Sequence, residues 1–143
     1  MSRERPPNLL VLDREYDGTT GTLRMARNDV LSFLRAHVPD EDLRERAQLV
    51  VSELATNAIQ ASPGVAYGLR VSLIGDGSVV LAVTSSARGD MPPPRDAWGP
   101  VHARAPRGRG LVIVNELTDG VDVERPSDDT LVVTATFRTA LPR

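Results

Sequence analysis

The chain contains no cysteine, few aromatic residues and no long apolar run. Each of these absences excludes a kind of site, core or protein class. Without cysteine, its 143 residues form neither disulfides nor thiolate metal sites. Only 3% of the residues are aromatic, so valine, leucine, alanine and isoleucine are expected to fill the core. No apolar stretch approaches the roughly 20 residues that span a bilayer, and no secretory segment precedes the fold. We therefore expect a cytoplasmic protein that does not contact a membrane.

Excess charge of either sign is also lacking. The formal net charge is -2 at pH 7, which gives no general attraction to the phosphates of nucleic acids, so direct nucleic-acid binding is not expected. The length and the 41% hydrophobic content favour one domain with a substantial core. We expect residues 1–7 to be a flexible N-terminus and residues 8–143 to be that domain.

Apolar periodicity and turn residues predict the order strand, helix, helix, hairpin, loop, helix, hairpin. The predicted elements are a strand over Asn8–Asp17, a helix capped by Thr19 or Thr20 and ending near Val38, a helix from an Asp40 cap to about Ala61, strands around Leu69–Ile74 and Val79–Val83, a helix over Gly110–Leu117, and strands over Val121–Glu124 and Leu131–Phe137. This order predicts an α/β (α+β) two-layer sandwich, in which helices cover one face of a mixed, mainly antiparallel sheet.

Two short motifs have the residue types of a nucleotide site. Glu53 and Asn57 lie one turn apart at the border of an apolar helix face, where a carboxylate can orient a nucleophile and a carboxamide can hold a metal. Gly108 and Gly110 precede an apolar helix, whose free backbone amides can bind phosphate. Taken singly, each motif is also explained by solvated surface residues or by a plain loop.

In this order and spacing, the two motifs together resemble the GHKL ATPase superfamily. Within it, the chain is similar to the small bacterial anti-sigma serine kinases of the switch-protein type, which have a histidine-kinase-like ATPase domain with the Bergerat-type ATP-binding fold. The resemblance extends from about Thr19 to Phe137. Val50–Ala58 looks like the family's N-box, Pro106–Leu111 looks like its second glycine box, and the proline-rich loop at 86–107 matches its ATP lid.

The resemblance implies ATP and Mg²⁺ as cofactors. Asn57 would be the Mg²⁺ ligand, and Glu53 would be the general base that takes the proton from a partner serine. The other implied nucleotide contacts are Ser85, Arg107, Gly108, Arg109, Gly110, Leu111 and, on the closing strand, Thr134, with Thr130 as a rival. The implied partners are a sigma factor and an anti-anti-sigma (antagonist) protein. A homodimer through the N-terminal strand and the first helix is also implied.

One position departs from the family's pattern. The family has an aspartate at the end of the strand before the lid, where it accepts a hydrogen bond from the adenine amine, and this chain has Ser85 or a neighbour there. Losing a charge-assisted hydrogen bond costs about 1.5–3 kcal/mol, roughly a ten- to hundredfold loss of affinity. Two functions therefore stay open: an ATP-binding anti-sigma regulator with serine/threonine protein kinase activity, or a non-catalytic interaction module of the same fold with weak or lost ATP binding.

Overall fold

Five strands and three helices follow one another in the described part of the chain, in the order that the sequence predicts. The structure, a computed structural model, describes residues 8–86 and 106–139, with the side chains of residues 10–86 and 112–139. In chain order the elements are β1 (Asn8–Tyr16), α1 (Thr22–His37), α2 (Glu41–Ala61), β2 (Tyr67–Ile74), β3 (Val79–Ser86), α3 (Pro106–Leu117), β4 (Gly120–Ser127) and β5 (Thr130–Phe137). The predicted flexible N-terminus and nearly all of the predicted lid lie outside the described residues.

The strands form one sheet in the order β1-β2-β3-β5-β4. Each of its described pairs is antiparallel, so the predicted two-layer sandwich is confirmed with a sheet that is antiparallel throughout rather than mixed. In the part of the chain that the structure describes, no helix is both long and apolar enough to cross a bilayer.

The core lies between one face of the sheet and the helices. Every second residue of β2, β3 and β5 points into it, because side chains alternate between the two faces of a strand. The buried core side chains include Leu69, Val71, Val79, Leu81, Val83, Ala135 and Phe137 from the sheet, and Ala26, Val30, Leu34, Leu43, Ala47, Val50 and Leu54 from α1 and α2. Valine, leucine and alanine dominate, as the shortage of aromatic residues predicts.

Helix α2 begins and ends where the sequence predicts. The carboxylate of Asp40 caps it by accepting a hydrogen bond from the Leu43 amide at 3.0 Å, which supplies an acceptor for one of the amides that every helix N-terminus leaves unpaired. At the other end, the hydroxyl of Ser62 donates to the carbonyl oxygen of Ser86 at 3.0 Å. This bond holds the C-terminal end of α2 beside the last residue of β3.

The predicted cap of α1 is wrong. The helix begins at Thr22 with Gly21 in the cap position and no capping side chain, while the carbonyls of Thr19 and Thr20 accept backbone bonds in the preceding turn. The hydroxyl of Thr22 lies 2.8 Å from the Thr19 carbonyl oxygen and 3.0 Å from the Tyr67 hydroxyl. A contact with β2, which is distant in sequence, therefore contributes to where α1 starts.

Two buried tyrosines attach α1 to the sheet. Tyr16 donates a hydrogen bond to the Asp29 carboxylate at 2.6 Å, and its ring centroid lies 5.6 Å from that of Tyr67. Burial, followed by the bond to Asp29, raises the pKa of Tyr16 above its ordinary value, and burial likewise raises the pKa of Tyr67. Both phenols are therefore neutral hydrogen-bonding groups at physiological pH.

Two glycines near the start of α1 differ in how closely other parts of the backbone approach them. A Cβ on Gly18 would lie 2.2 Å from the carbonyl oxygen of Val65, whereas a Cβ on Gly21 would meet nothing within 4 Å. Gly18→Ala is expected to lower the free energy of unfolding by about 1–3 kcal/mol, as overpacking does. Gly21→Ala, at φ -62°, is expected to be neutral or to stabilise by up to about 1 kcal/mol. Urea unfolding of both variants checks this, and equal effects would contradict the close approach of Gly18 to Val65.

Candidate functional site

Helices α2 and α3 pack side by side and run in opposite directions. Near the start of α2, Arg46 donates a hydrogen bond to the carbonyl oxygen of Leu117, the last residue of α3, at 3.0 Å. Because α2 begins only at Glu41, an α3 that packs along it has to extend towards the C-terminal end of α2. That is also the end at which β3 finishes, beside Ser62.

This arrangement brings the two predicted motifs to one end of the molecule. Asn57 lies eleven residues beyond Arg46 on α2, and Pro106 lies eleven residues before Leu117 on α3. At 1.5 Å per residue, both steps are about 16 Å along two helices that run in opposite directions. The N-terminus of α3, with its glycine pair, is therefore level with Asn57.

Glu53 and Asn57 lie on the flank of α2 that faces α3. Their spacings from Arg46, seven and eleven residues, put all three within about 20° of one line along the helix, and Arg46 contacts α3 directly. Both side chains are half-buried, as the helical wheel predicts. The nearby hydroxyls of Ser52 and Thr56 bond to carbonyls of their own helix.

Neither Glu53 nor Asn57 is used by the described part of the fold. Among the side chains that the structure describes, those of residues 10–86 and 112–139, neither has a hydrogen-bond or ion-pair partner. A carboxylate and a carboxamide, both half-buried near a helix N-terminus, thus have no partner in the described part of the fold that would compete with a ligand. Their catalytic and metal-binding roles stay predictions.

Ser85 lies in the same region. It is buried, with 9% of its surface exposed, and it shares the helix-facing side of β3 with Leu81 and Val83. It is the last residue of β3 on that side, one residue before the Ser86 carbonyl that holds the end of α2. Its hydroxyl therefore lies in the layer between sheet and helices, towards the end of the molecule that holds Asn57 and the N-terminus of α3.

Thr134 does not lie at the site, and this prediction is wrong. It pairs with Ala82 across β3 and β5 and lines a depression on the helix-free face of the sheet, together with Arg70. Its neighbours Val133 and Ala135 are the buried residues that face the helices. Because side chains alternate along a strand, Thr134 points away from α2. The rival Thr130 is four residues earlier on β5 and is therefore on the same side of the strand. The helix-facing residue opposite Ser85 is Leu131.

The glycine pair lies inside α3 rather than ahead of it. The helix begins at Pro106, four residues before the predicted start at Gly110, and proline is favoured at a first helical position. Arg107 and Gly108 have amides in the first turn, where helices leave N–H groups unpaired. The amides of Gly110 and Leu111 lie beyond that turn, so contact between them and a phosphate requires the first turn of α3 to open.

The residues present fit a magnesium ion that is shared with phosphates. No three aspartate, glutamate or histidine side chains converge within the described ranges to form a metal cage. Mg²⁺ is usually held by one or two protein oxygens together with substrate phosphates and water. The carboxamide oxygen of Asn57, which has no partner among the described side chains, is the kind of protein oxygen that such a site uses, and its role as the ligand stays a prediction.

Sequence reasoning missed Arg46. Besides Leu117, it contacts the Asp42 carboxylate at 2.9 Å and lies over the Phe137 ring, 5.7 Å from the centroid. The available signal was its spacing, four residues after Asp42 and seven before Glu53. By itself, the four-residue spacing from Asp42 is typical of an ordinary ion pair on a helix surface.

Comparison with known proteins gives one family and a common fold. The model of the histidine kinase-like ATPase domain matches residues 17–137. No curated protein matches the chain by sequence.

Two of the solved structures that share the fold do so at low identity. The structure of the RsbU and RsbW domains of Rv1364c from Mycobacterium tuberculosis aligns with a TM-score of 0.70 at 19% identity, covering 93% of this chain and 33% of that one. The structure of the SiaB–SiaC complex from Pseudomonas aeruginosa aligns with a TM-score of 0.68 at 13% identity, covering 91% and 89% of the two chains. This chain thus spans about a third of the length of the first.

Proposed function

The chain belongs to the histidine kinase-like ATPase family, and from that premise we propose that it is an ATP-binding anti-sigma regulator that phosphorylates a serine or threonine of an antagonist protein. The observation that carries this proposal is the pair Glu53 and Asn57, unpaired within the described fold and level with the N-terminus of α3. The proposed domain is residues 8–143, with the ATP lid at 86–107.

Each proposed role follows from the chemistry of its group. When bound, Mg-ATP supplies the phosphoryl group. Asn57 would hold the metal, the first amides of α3 would bind phosphate oxygens, and the Ser85 hydroxyl would accept a hydrogen bond from the adenine amine. Glu53 would take the proton of the acceptor hydroxyl as the phosphoryl group passes to that oxygen and ADP leaves. Positioning and charge neutralisation supply most of the catalysis in this reaction.

The proposed partners are proteins. Two of the structures that share the fold contain the RsbU and RsbW domains of one protein and the SiaB–SiaC complex, which supports a role in a protein-based switch. For this chain we propose a sigma factor and its anti-anti-sigma antagonist as partners, and a homodimer as the working form.

A second function is a non-catalytic interaction module of the same fold. It is supported by Ser85, which offers a neutral hydroxyl where the family's pattern has a carboxylate. In that case the chain regulates by protein binding alone, and ATP binding is weak or lost. The two functions differ in whether nucleotide binds and in whether phosphate is transferred.

Replacing the proposed base tests the kinase. Glu53→Gln is expected to lower phosphoryl transfer by about 10²–10⁴-fold, the usual contribution of general base catalysis, while the Kd for Mg-ATP changes little. The matched control is Glu45→Gln, an exposed position on the same helix. The readouts are transfer from γ-labelled ATP to a panel of antagonist proteins and the slow release of ADP with water as the acceptor. Unchanged transfer in the Glu53→Gln variant would remove Glu53 from the mechanism.

Restoring a carboxylate at the adenine position tests Ser85. Ser85→Asp is expected to tighten Mg-ATP binding by about ten- to hundredfold, because a charge-assisted hydrogen bond is gained. Thr134→Val, on the opposite face of the sheet, is the control and should leave the affinity unchanged. Calorimetric titration checks both variants. If Ser85→Asp has no effect, Ser85 does not contact adenine; if neither it nor the wild type binds, the interaction module is the function.

A further inference from the structure

Arg46 joins three elements of the fold. It belongs to α2, its Nη1 donates to the carbonyl oxygen of Leu117 at the end of α3 at 3.0 Å, and its guanidinium lies over the ring of Phe137 at the end of β5. Its side chain is only 24% exposed, whereas that of its ion-pair partner Asp42 is 77% exposed. The exposed ion pair contributes little, so the contacts with α3 and β5 are the ones that matter.

The bond to Leu117 caps α3 from outside. The last carbonyls of a helix lack intrahelical donors and carry a partial negative charge, which a cation stabilises. Helix α3 has no basic residue in its own last turn. The guanidinium of Arg46 supplies the missing cation and donor, while the hydroxyl of Thr118 donates to the carbonyl of Val114, one turn earlier, at 2.8 Å.

Two further hydrogen bonds attach the chain to the sheet at the same end of α3. Directly after the helix, the Asp119 amide donates to the Thr136 carbonyl at 2.9 Å, and the Asp119 carboxylate accepts from the Arg138 amide at 2.7 Å. The opposite end of α3 contains Gly108 and Gly110, each about 1 kcal/mol less favourable than alanine inside a helix. The described hydrogen bonds therefore hold α3 at its C-terminal end.

We propose that Arg46 is a positioning residue for the nucleotide site. By holding the C-terminal end of α3, it fixes how far α3 is displaced along α2, and so where the first amides of α3 lie relative to Glu53 and Asn57, about 16 Å from Arg46 itself. The part of this inference that concerns nucleotide rests on the proposed function. The part that concerns the placement of α3 does not.

A pair of arginines on α2 gives a matched experiment. Arg46→Gln removes the cap of α3. Arg44→Gln removes a similar bond from the same helix, the donation of Arg44 Nη1 to the Val38 carbonyl at 2.7 Å, on the side of α1. In nucleotide-free protein, Arg46→Gln is expected to speed amide hydrogen exchange across α3 by about tenfold or more, since local opening becomes easier, and Arg44→Gln is expected to leave α3 unchanged.

Nucleotide binding gives the second readout. Arg46→Gln is expected to raise the Kd for Mg-ATP by about tenfold, because small displacements of binding groups are costly, while transfer from bound nucleotide falls much less, since Glu53 and Asn57 stay on α2. Arg46→Lys keeps the charge and one donor, so it should restore most of the protection and the affinity. Thermal unfolding of each variant is measured first, so that exchange and binding are compared at a temperature at which every variant is folded.

Three results would overturn the proposal. They are unchanged α3 exchange in Arg46→Gln, an equal rise in Arg44→Gln, and an Arg46→Lys protein that behaves like Arg46→Gln. If the wild type does not bind Mg-ATP, the proposed function fails, but the exchange experiment still decides whether Arg46 positions α3. If the Arg46→Gln variant does not fold, α3 exchange in the Arg46→Lys variant, compared with the wild type and Arg44→Gln, still tests whether Arg46 positions α3.

Discussion

The antiparallel packing of α2 against α3 is the constraint on which the candidate site depends. The two motifs are about fifty residues apart in the chain, and they meet only because α3 runs back along α2 from the end where β3 finishes. Contacts at opposite ends fix this arrangement, from Arg46 to the last carbonyl of α3 and from Ser62 to the last carbonyl of β3. With both in place, Glu53 and Asn57 lie on the flank of α2 that packs against α3, at the end of the molecule where α3 begins.

The alternation of side chains along the strands decides which polar residues can take part. Ser85 points into the layer between the sheet and the helices because it follows Leu81 and Val83 at a spacing of two. Thr134 points to the helix-free face because its neighbours fill the core. A shift of one residue in the register of β5 would exchange these faces. Strand pairing therefore determines which side chains of the sheet face the site, just as helix packing does for α2 and α3.

Much of this can be predicted from residue patterns, and the failures have physical causes. Helix α2 is predictable because Asp40 is a strong local cap and the apolar face is continuous. The start of α1 is not, because three threonines close together could each cap it, and the contact of Thr22 with the distant Tyr67 is not visible in the sequence. The start of α3 is obscured because two glycines resemble a loop, although Pro106 is a good first residue of a helix.

The site itself is predictable where it depends on helix periodicity and not where it depends on tertiary contacts. Glu53 and Asn57 share a stripe by spacing alone. The face on which Thr134 lies follows from strand register, and the role of Arg46 follows from a contact with a carbonyl 71 residues away. Neither placement can be predicted from a threonine or an arginine in the sequence, because both depend on how distant elements pack.

Family membership and fold are established for this chain, and its chemistry depends on whether a magnesium-bound nucleotide occupies the space between Asn57 and the start of α3. Isothermal titration of the wild-type protein with ATP, in the presence of Mg²⁺ and again after chelation, measures this directly. We expect one nucleotide to bind per chain and most of the affinity to be lost without the metal. Absence of binding heat under both conditions would contradict the nucleotide site and leave the fold as a protein-binding scaffold.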